Sequence, residues 1–235
     1  IPSMGTSAHS FTLLYESEED AFKAQLESMG TQTTLLVDTY DIDKAVRSAV
    51  ELSGGRIAAV RLDSGDLGST AVRVRALLDE LGAKNTKIVV TSDLDEYTIA
   101  ALQAAPVDSY GVGTSLVTGS NHPTAGFVYK LVAHAAGEDW VSVEKHSENK
   151  TTKGGKKVAT RALNGGIAQA ELVGTKQEGR ELQVAIMDAG KLAKQLNPSE
   201  WVQAAREHHQ IAISELPESG RRLSQGEPVI PTVYS

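Results

Sequence analysis

The chain has 235 residues, 40% of them hydrophobic and 23% charged, enough to bury one or two globular cores and too apolar for a disordered tail. A net charge of -7 argues against a sequence-independent grip on nucleic acid and against an anionic membrane surface, so neither partner is expected. With no cysteine there is no disulfide and no thiolate metal site, and no apolar run reaches membrane-spanning length, which fits a cytoplasmic protein acting on a small molecule.

The opening Ile1-Pro2-Ser3-Met4-Gly5-Thr6 reads as the inside of a folded domain, so the chain is expected to be the carboxyl part of a longer protein with an amino-terminal segment missing here. Gly5 to Phe11 is a small-residue turn that delivers His9, a group able to move protons or accept a phosphoryl group. A helix over 18–29 follows, with Ala21, Phe22, Leu26 and Met29 on one side and Gly30 as its stop. The apolar run 33–37 reads as a strand ending at Asp38-Thr39-Tyr40-Asp41, and Ile42, Ala45, Val46, Ala49 and Val50 carry helical spacing up to Gly54-Gly55.

The second unit is a strand over 57–60, a loop over 61–69, and a helix carrying Val72, Leu77, Leu78 and Leu81. That loop packs one cation, two carboxylates, two glycines and two hydroxyls into nine residues. A third strand over 87–91 closes on Ser92-Asp93-Leu94-Asp95-Glu96, where Ser92 and Asp95 form a capping pattern, and a fourth over 109–112 runs into Gly113-Thr114-Ser115. Beyond it, 127–132 and 182–186 read as strands, 141–145 as a half-exposed strand, and the basic run Lys145, Lys150, Lys153, Lys156, Lys157 and Arg161 as a solvated hairpin held open to an anion. Asn197-Pro198-Ser199-Glu200 starts a last helix bearing Trp201, Ala204, Ala205, Ile211 and Ile213.

Continuous apolar strands alternating with amphipathic helices predict an α/β fold with a parallel sheet. Parallel strands point one way, so Asp38, Asp63, Asp93 and Gly113 gather at one rim. Four successive equipped loops favour a (β/α) barrel-like core, incomplete in this chain, over an open doubly wound sheet. The expected division is 1–133 for the barrel portion and 134–235 for a smaller basic β segment with the C-terminal helix.

At that rim, Gly111-Val112-Gly113-Thr114-Ser115 suits a phosphate, since glycines let backbone N–H groups converge. A tight turn is the competing reading. Asp63 and Asp66 offer hard oxygen ligands to Mg2+, Asp93 accepts from ribose hydroxyls, and Arg61 presents a planar fork to a carboxylate or phosphate. For Arg61 and Asp63 the alternative is an internal ion pair. None of the six histidines shows metal-ligand spacing, and no nucleophile-elbow motif is present.

Taken in order, Gly5-Thr6-Ser7-Ala8-His9-Ser10, Val37-Asp38-Thr39-Tyr40-Asp41, Arg61-Leu62-Asp63-Ser64-Gly65-Asp66-Leu67, Ser92-Asp93-Leu94-Asp95, Gly111-Val112-Gly113-Thr114, Tyr129-Lys130-Leu131-Val132 and Gly226-Glu227-Pro228-Val229-Ile230-Pro231-Thr232 resemble the nicotinate phosphoribosyltransferases, which are type II phosphoribosyltransferases. The resemblance implies condensation of nicotinate with phosphoribosyl pyrophosphate, with ATP as co-substrate phosphorylating a histidine that matches His9, and Mg2+ as cofactor. It places Arg61 against the pyridine carboxylate and Asp38, Asp63 and Asp66 in the acidic loops around Mg2+ and pyrophosphate, with Ser64 among the substrate-binding residues. It places Ser92 and Asp93 on the ribose, and Gly111, Gly113 and Thr114 on the 5'-phosphate. It also implies a homodimer, and an aromatic residue of the amino-terminal part stacked on the pyridine. Gly154 stands where the family's basic pattern has proline. The readings weighed beside this one are a nicotinamide or quinolinate phosphoribosyltransferase and a noncatalytic nucleotide-binding sensor.

Overall fold

A computed structural model describes residues 5–234 apart from 121, 123, 148, 149, 152, 177, 195 and 196, together with the backbone alone at 146, 147, 150 and 151. The readings made on Ile1 to Met4 and on the Lys150 side chain lie outside what it describes. The chain divides into two compact units, Ile1–Gly126 and Phe127–Ser235.

In the first unit, α1 (His9–Thr12) and α2 (Glu18–Met29) precede three strand-helix pairs and a last strand with a short helix. These are β1 (Thr34–Leu36) with α3 (Ile42–Leu52), β2 (Ala59–Leu62) with α4 (Leu67–Glu80), β3 (Lys87–Val90) with α5 (Glu96–Leu102), and β4 (Ser109–Tyr110) with α6 (Thr114–Thr118). All four strands are parallel and lie in the order β1-β2-β3-β4. The sheet is open: among the described residues it does not close into a barrel.

Leu35, Leu36, Val60, Leu62, Ile88 and Val90 on the strands are inaccessible, and Phe22, Val46, Ala49, Ala71, Val74 and Leu78 bring the helices onto them. Burying each of the larger side chains contributes about 1.5–3 kcal/mol. The helices start where short polar side chains cap them: Ser17, Asp41, Asp66 and Asp95 each accept from a backbone N–H three residues on.

Several sequence expectations change here. Strand β2 runs through Arg61 and Leu62 rather than stopping at Val60, because Leu36↔Arg61↔Val89 and Leu62↔Val90 stay in register. Val72 is 55% exposed: the buried arc of α4 is Leu67, Ala71, Val74, Leu77 and Leu78, and Val72 falls outside it at 100° per residue. Met29 is likewise exposed, at 49%. Asp95 alone caps α5, while Ser92 sits at φ 123° in the preceding turn.

In the second unit, β5 (Ala133–Ala136) pairs with β6 (Asp139–Ser142), and β7 (His146–Ser147) with β8 (Lys150–Thr151), each as an antiparallel hairpin. A four-stranded sheet then forms from β9 (Val158–Asn164), β10 (Ile167–Gly174), β11 (Arg180–Glu181) and, after the β12 (Met187–Asp188) and β13 (Lys191–Leu192) hairpin and α7 (Pro198–Ser214), from β14 (Thr232–Tyr234). Its order is β11-β9-β10-β14. Asn197 and Glu200 close a reciprocal capping box on α7, as their spacing predicts. Arg161 donates to Glu171 (2.9 Å) and Glu215 (3.2 Å), and Arg180 also reaches Glu215, so a half-buried ion network ties the end of α7 to the sheet.

The runs 127–132 and 182–186 are not strands. Residues 127–131 are exposed, with Phe127 at 93%, and form no ladder among the described residues. At the other run, Leu182 N donates to Ala159 O and Ala193 N to Ile186 O, so only its two ends are paired. Apolar, β-branched composition favours strands only where a neighbouring strand takes up the backbone groups.

Candidate active site

The parallel ladder delivers its polar loops side by side. Backbone bonds from Val37 N to Arg61 O (3.1 Å), Thr91 N to Leu62 O (2.9 Å) and Gly111 N to Val90 O (2.9 Å) stitch the carboxyl ends of successive strands together. Asp38, Asp63, Thr91 to Asp93, and Gly111 to Gly113 are therefore consecutive along one rim.

Asp38 is the anchor of its first half. Its side chain is 1% exposed, and Oδ1 lies 3.0 Å from His9 Nε2. Its Oδ2 accepts from Asp63 N and from Ser64 Oγ, both at 2.8 Å. One carboxylate thereby holds the histidine and the loop after β2 in fixed relation, and both of its oxygens are occupied by the protein itself.

Arg61 anchors the second half. Nε donates to Thr91 Oγ1 (2.8 Å), Nη1 to Ser7 O (3.1 Å) and Nη2 to Asp63 Oδ1 (2.8 Å). Three of its five N–H groups are used, and two remain. Thr91 Oγ1 also donates to Asp63 Oδ1. Burial works against the charge on Asp63, but the hydrogen bonds from Arg61 and Thr91, with the charges of Arg61 and His9, hold its carboxyl below the usual range. The internal ion pair weighed from sequence is thus present, and it lies at the site.

A cleft of about 500 Å3 is lined by Asp63, Thr91, Ser92, Asp93, Gly111, Val112 and Gly113. That volume suits a small ligand. Of the residues singled out from sequence it brings together Asp63, Ser92, Asp93, Gly111 and Gly113. Thr114 starts α6 directly after the cleft. His9, Asp38, Arg61 and Ser64 connect to it through Asp63. Gly111 is packed so closely that a Cβ there would overlap Thr91 Cγ2, so glycine is required by the approach of the two loops.

Asp66 stands apart from this group. It caps α4 by accepting from Ser69 N (3.2 Å), and the hydrogen bonds of Ser69 lower its carboxyl. Among the described residues no group of three or more His, Asp or Glu side chains is placed to hold a metal ion. The second oxygen of Asp63 has no hydrogen-bond partner among them. A Mg2+ that takes most of its ligands from a diphosphate and water needs only one or two carboxylates, so the residues fit that role and no fuller one.

Sequence reasoning passed over Thr91 and Ser7. Thr91 was legible only as the end of an apolar strand; its bridging position comes from the register of β3 beside β2. Ser7 contributes a backbone carbonyl, which no side-chain pattern reports.

The nicotinate phosphoribosyltransferase (NAPRTase) family model matches residues 1–184. The chain belongs to the nicotinate phosphoribosyltransferase family. It is 44% identical over 248 residues to nicotinate phosphoribosyltransferase pncB1 of Mycobacterium tuberculosis, covering 99% of this chain and 54% of that protein. It is 42% identical over 170 residues to the nicotinate phosphoribosyltransferase of Bacillus subtilis, covering 67% of this chain and 34% of that one. This nicotinate phosphoribosyltransferase family chain therefore spans about half the length of its Mycobacterium tuberculosis relative or less of the others'. Its fold is similar to that of human nicotinic acid phosphoribosyltransferase, with a TM-score of 0.63 at 23% identity over 93% of this chain and 47% of that one. A similar fold is found in nicotinate-nucleotide pyrophosphorylase from Pyrococcus furiosus, with a TM-score of 0.59 at 20% identity over 89% of this chain and 55% of that one.

Proposed function

We propose that the complete protein joins nicotinate to phosphoribosyl pyrophosphate, giving nicotinate mononucleotide and pyrophosphate, with ATP phosphorylating His9 to drive the reaction. The observation that carries this reading is the cleft in which Asp63, Ser92, Asp93, Gly111 and Gly113 converge beside the Arg61–Thr91–Asp63 relay. Membership of the family supports it. The 5'-phosphate takes the backbone N–H groups of Val112 to Thr114, on the loop that Gly111 anchors by donating its own N–H to Val90 O, and Ser92 and Asp93 take the ribose hydroxyls. The two unused N–H groups of Arg61 orient the pyridine carboxylate. The pyridine nitrogen forms the new bond to the ribose carbon as the bond to pyrophosphate breaks, so the protein's task is to orient the ring and to neutralise the leaving group. Its own nitrogen lone pair is the nucleophile, and no general base is needed.

The Oδ2 atom of Asp63 would hold Mg2+, which when bound neutralises charge on the leaving group, and Asp66, the cap of α4, is the second carboxylate that the sequence offers for it. Asp38 fixes the imidazole of His9. In the complete protein β1 to β4 form consecutive staves of a (β/α) barrel, residues 1–133 belong to it, and residues 134–235 form the smaller basic segment. The active assembly is a homodimer in the cytoplasm whose remaining chain supplies the aromatic face for the ring. No helix among the described residues is long and apolar enough to cross a membrane.

The test is turnover by the full-length protein with phosphoribosyl pyrophosphate and, side by side, nicotinate, nicotinamide and quinolinate. Formation of the mononucleotide from nicotinate is expected. Preference for either other ring, or binding without turnover, overturns the assignment. Arg61→Ala is expected to raise the KM for nicotinate much more than that for phosphoribosyl pyrophosphate; equal effects remove Arg61 from the pyridine. Labelled ATP is expected to leave an acid-labile phosphoryl group that His9→Ala abolishes, and labelling that persists in the variant rejects His9.

A further inference from the structure

Thr91 follows β3, and its two branches meet different neighbours. The methyl faces Gly111, where an added Cβ would overlap Cγ2. The hydroxyl lies between Arg61 and Asp63: Oγ1 is 2.8 Å from Arg61 Nε and also bonds Asp63 Oδ1. A β-branched side chain is stiff at χ1, so packing one branch fixes the direction of the other. Arginine Nε can only donate, so Oγ1 is the acceptor there and its own single proton is left for a second partner. Asp63 Oδ1 takes it, since Leu62 O is farther away at 3.5 Å. Arg61 Nη2 donates to the same Oδ1 atom at 2.8 Å, which closes a ring of three side chains. Ser7 O holds the guanidinium from a third direction, at 3.1 Å from Nη1.

These bonds decide which hydrogens Arg61 keeps. Nε is spent on Thr91, one hydrogen of Nη1 on Ser7 and one of Nη2 on Asp63, so each terminal nitrogen retains one. Two N–H groups on two nitrogens of a rigid plane match the two oxygens of a carboxylate. The match holds only while that plane is fixed, and a long arginine stem has many rotamers to lose. We propose that Thr91 is a positioning residue for the pyridine: its hydroxyl, by accepting from Nε and donating to Asp63, sets the plane of the Arg61 guanidinium so that its two free N–H groups meet the ring carboxylate. The methyl against Gly111 holds the rotamer, and the hydroxyl does the aiming. The inference deepens the proposed reaction and rests on it for the identity of the carboxylate. The ring of hydrogen bonds supplies its cause.

The experiment compares the full-length wild type with Thr91→Val, which keeps the methyl and deletes the hydroxyl, and with Thr91→Ser, which does the reverse. The KM for nicotinate is expected to rise about tenfold in the valine variant, the effect of losing one hydrogen bond to a charged group, while kcat changes far less. The serine variant should stay close to the wild type, because the same two hydrogen bonds hold its hydroxyl. A residue that only packs under Gly111 gives the opposite order, with valine tolerated and serine impaired, and that result overturns the proposal. A valine variant in which KM is unchanged overturns it as well. If that variant fails to fold, Thr91→Ala replaces it, since alanine and serine differ by the hydroxyl alone. If the wild type turns over no pyridine, the proposed reaction fails by itself. Thr91 is then decided by the rate at which phenylglyoxal modifies Arg61, followed by mass spectrometry, with Arg75, held by Asp79, Ala83 and Thr86, as the internal standard. A guanidinium released from Oγ1 should react several-fold faster in the valine variant and at the wild-type rate in the serine variant, and any other order overturns the proposal.

Discussion

Asp38 Oδ1 lies 3.0 Å from His9 Nε2, across 29 residues of sequence, while the other oxygen of the same carboxylate holds Asp63 N and Ser64 Oγ at 2.8 Å. The nearly inaccessible side chain therefore joins the first residue of α1 to the loop after β2. A change at Asp38 reaches two parts of the rim at once.

Asp38→Asn tests this link. An amide can face His9 or the Asp63 N–H with its oxygen, but not both, so either a donor loses its acceptor or the His9 ring is forced to move its proton off Nε2. We expect a loss of about 1–3 kcal/mol in urea unfolding of the full-length protein, the usual effect of leaving a buried polar group unsatisfied. Transfer of label from ATP to His9 should fall alongside. A variant as stable as the wild type, with labelling intact, would show that the carboxylate orients nothing.

Gly111→Ala addresses the contact between the loop after β4 and Thr91, the residue that follows β3. The added methyl overlaps Thr91 Cγ2, and Thr91 is stiff at χ1 and bonded to both Arg61 and Asp63. Overpacking of this kind costs about 1–3 kcal/mol. The KM for phosphoribosyl pyrophosphate should rise, and that for nicotinate should follow as Arg61 loses its Thr91 partner. Unchanged KM values for both would mean that the loop yields without disturbing the relay.

Gly154→Pro restores the residue usual in the family's basic pattern, and here it should destabilise. Gly154 N donates to Glu144 Oε2 at 3.1 Å, a bond proline cannot make, and a Cβ at this position would lie 2.8 Å from Val143 O. Thermal unfolding of the variant is expected at a lower temperature than the wild type, by an amount corresponding to about 1–3 kcal/mol. A raised melting temperature would show that the gain in chain stiffness outweighs both losses.

Glu18 makes a prediction about stability alone. Burial first, then the charges of Asp38 and Asp41, raise its carboxyl from 4.5 to about 7 in the folded protein, so the folded state binds this proton more tightly than the unfolded chain does. Stability from this group is fully present below pH 4.5 and is lost as the pH rises through 7. Glu18→Gln removes that loss. The variant should match the wild type near pH 4 and exceed it near pH 8 in chemical denaturation, and an equal difference at both values would contradict the raised carboxyl.

The strands and helices of the first unit were largely legible in the sequence, because burial on both faces of a parallel sheet demands continuous apolar runs and each helix needs a buried arc. The Leu35–Val37, Ile57–Val60 and Ile88–Val90 segments meet the first demand, and α3 meets the second with Ala45, Val46, Ala49 and Val50. The runs 127–132 and 182–186 have the composition of strands and are not strands, since composition does not supply the neighbour that a ladder requires. Val72 was misplaced for a simpler reason. An apolar residue close to the buried arc of a helix is not thereby on it.

By itself the sequence determined the order of the α/β elements and the gathering of Asp38, Asp63, Asp93 and Gly113 at one end of parallel strands, because strand direction follows from connectivity alone. The loop that begins near Arg61 was conspicuous for packing one cation, two carboxylates, two glycines and two hydroxyls into nine residues. Only the tertiary structure decided that Arg61 belongs to the strand and not the loop, that Thr91 bridges it to Asp63, and that Asp38 spends both oxygens inside the protein. Only the packing of α2 left the Oε1 atom of Glu18 buried without a hydrogen-bond partner. Those relations depend on register and on distances between residues tens of positions apart, and a linear pattern carries neither.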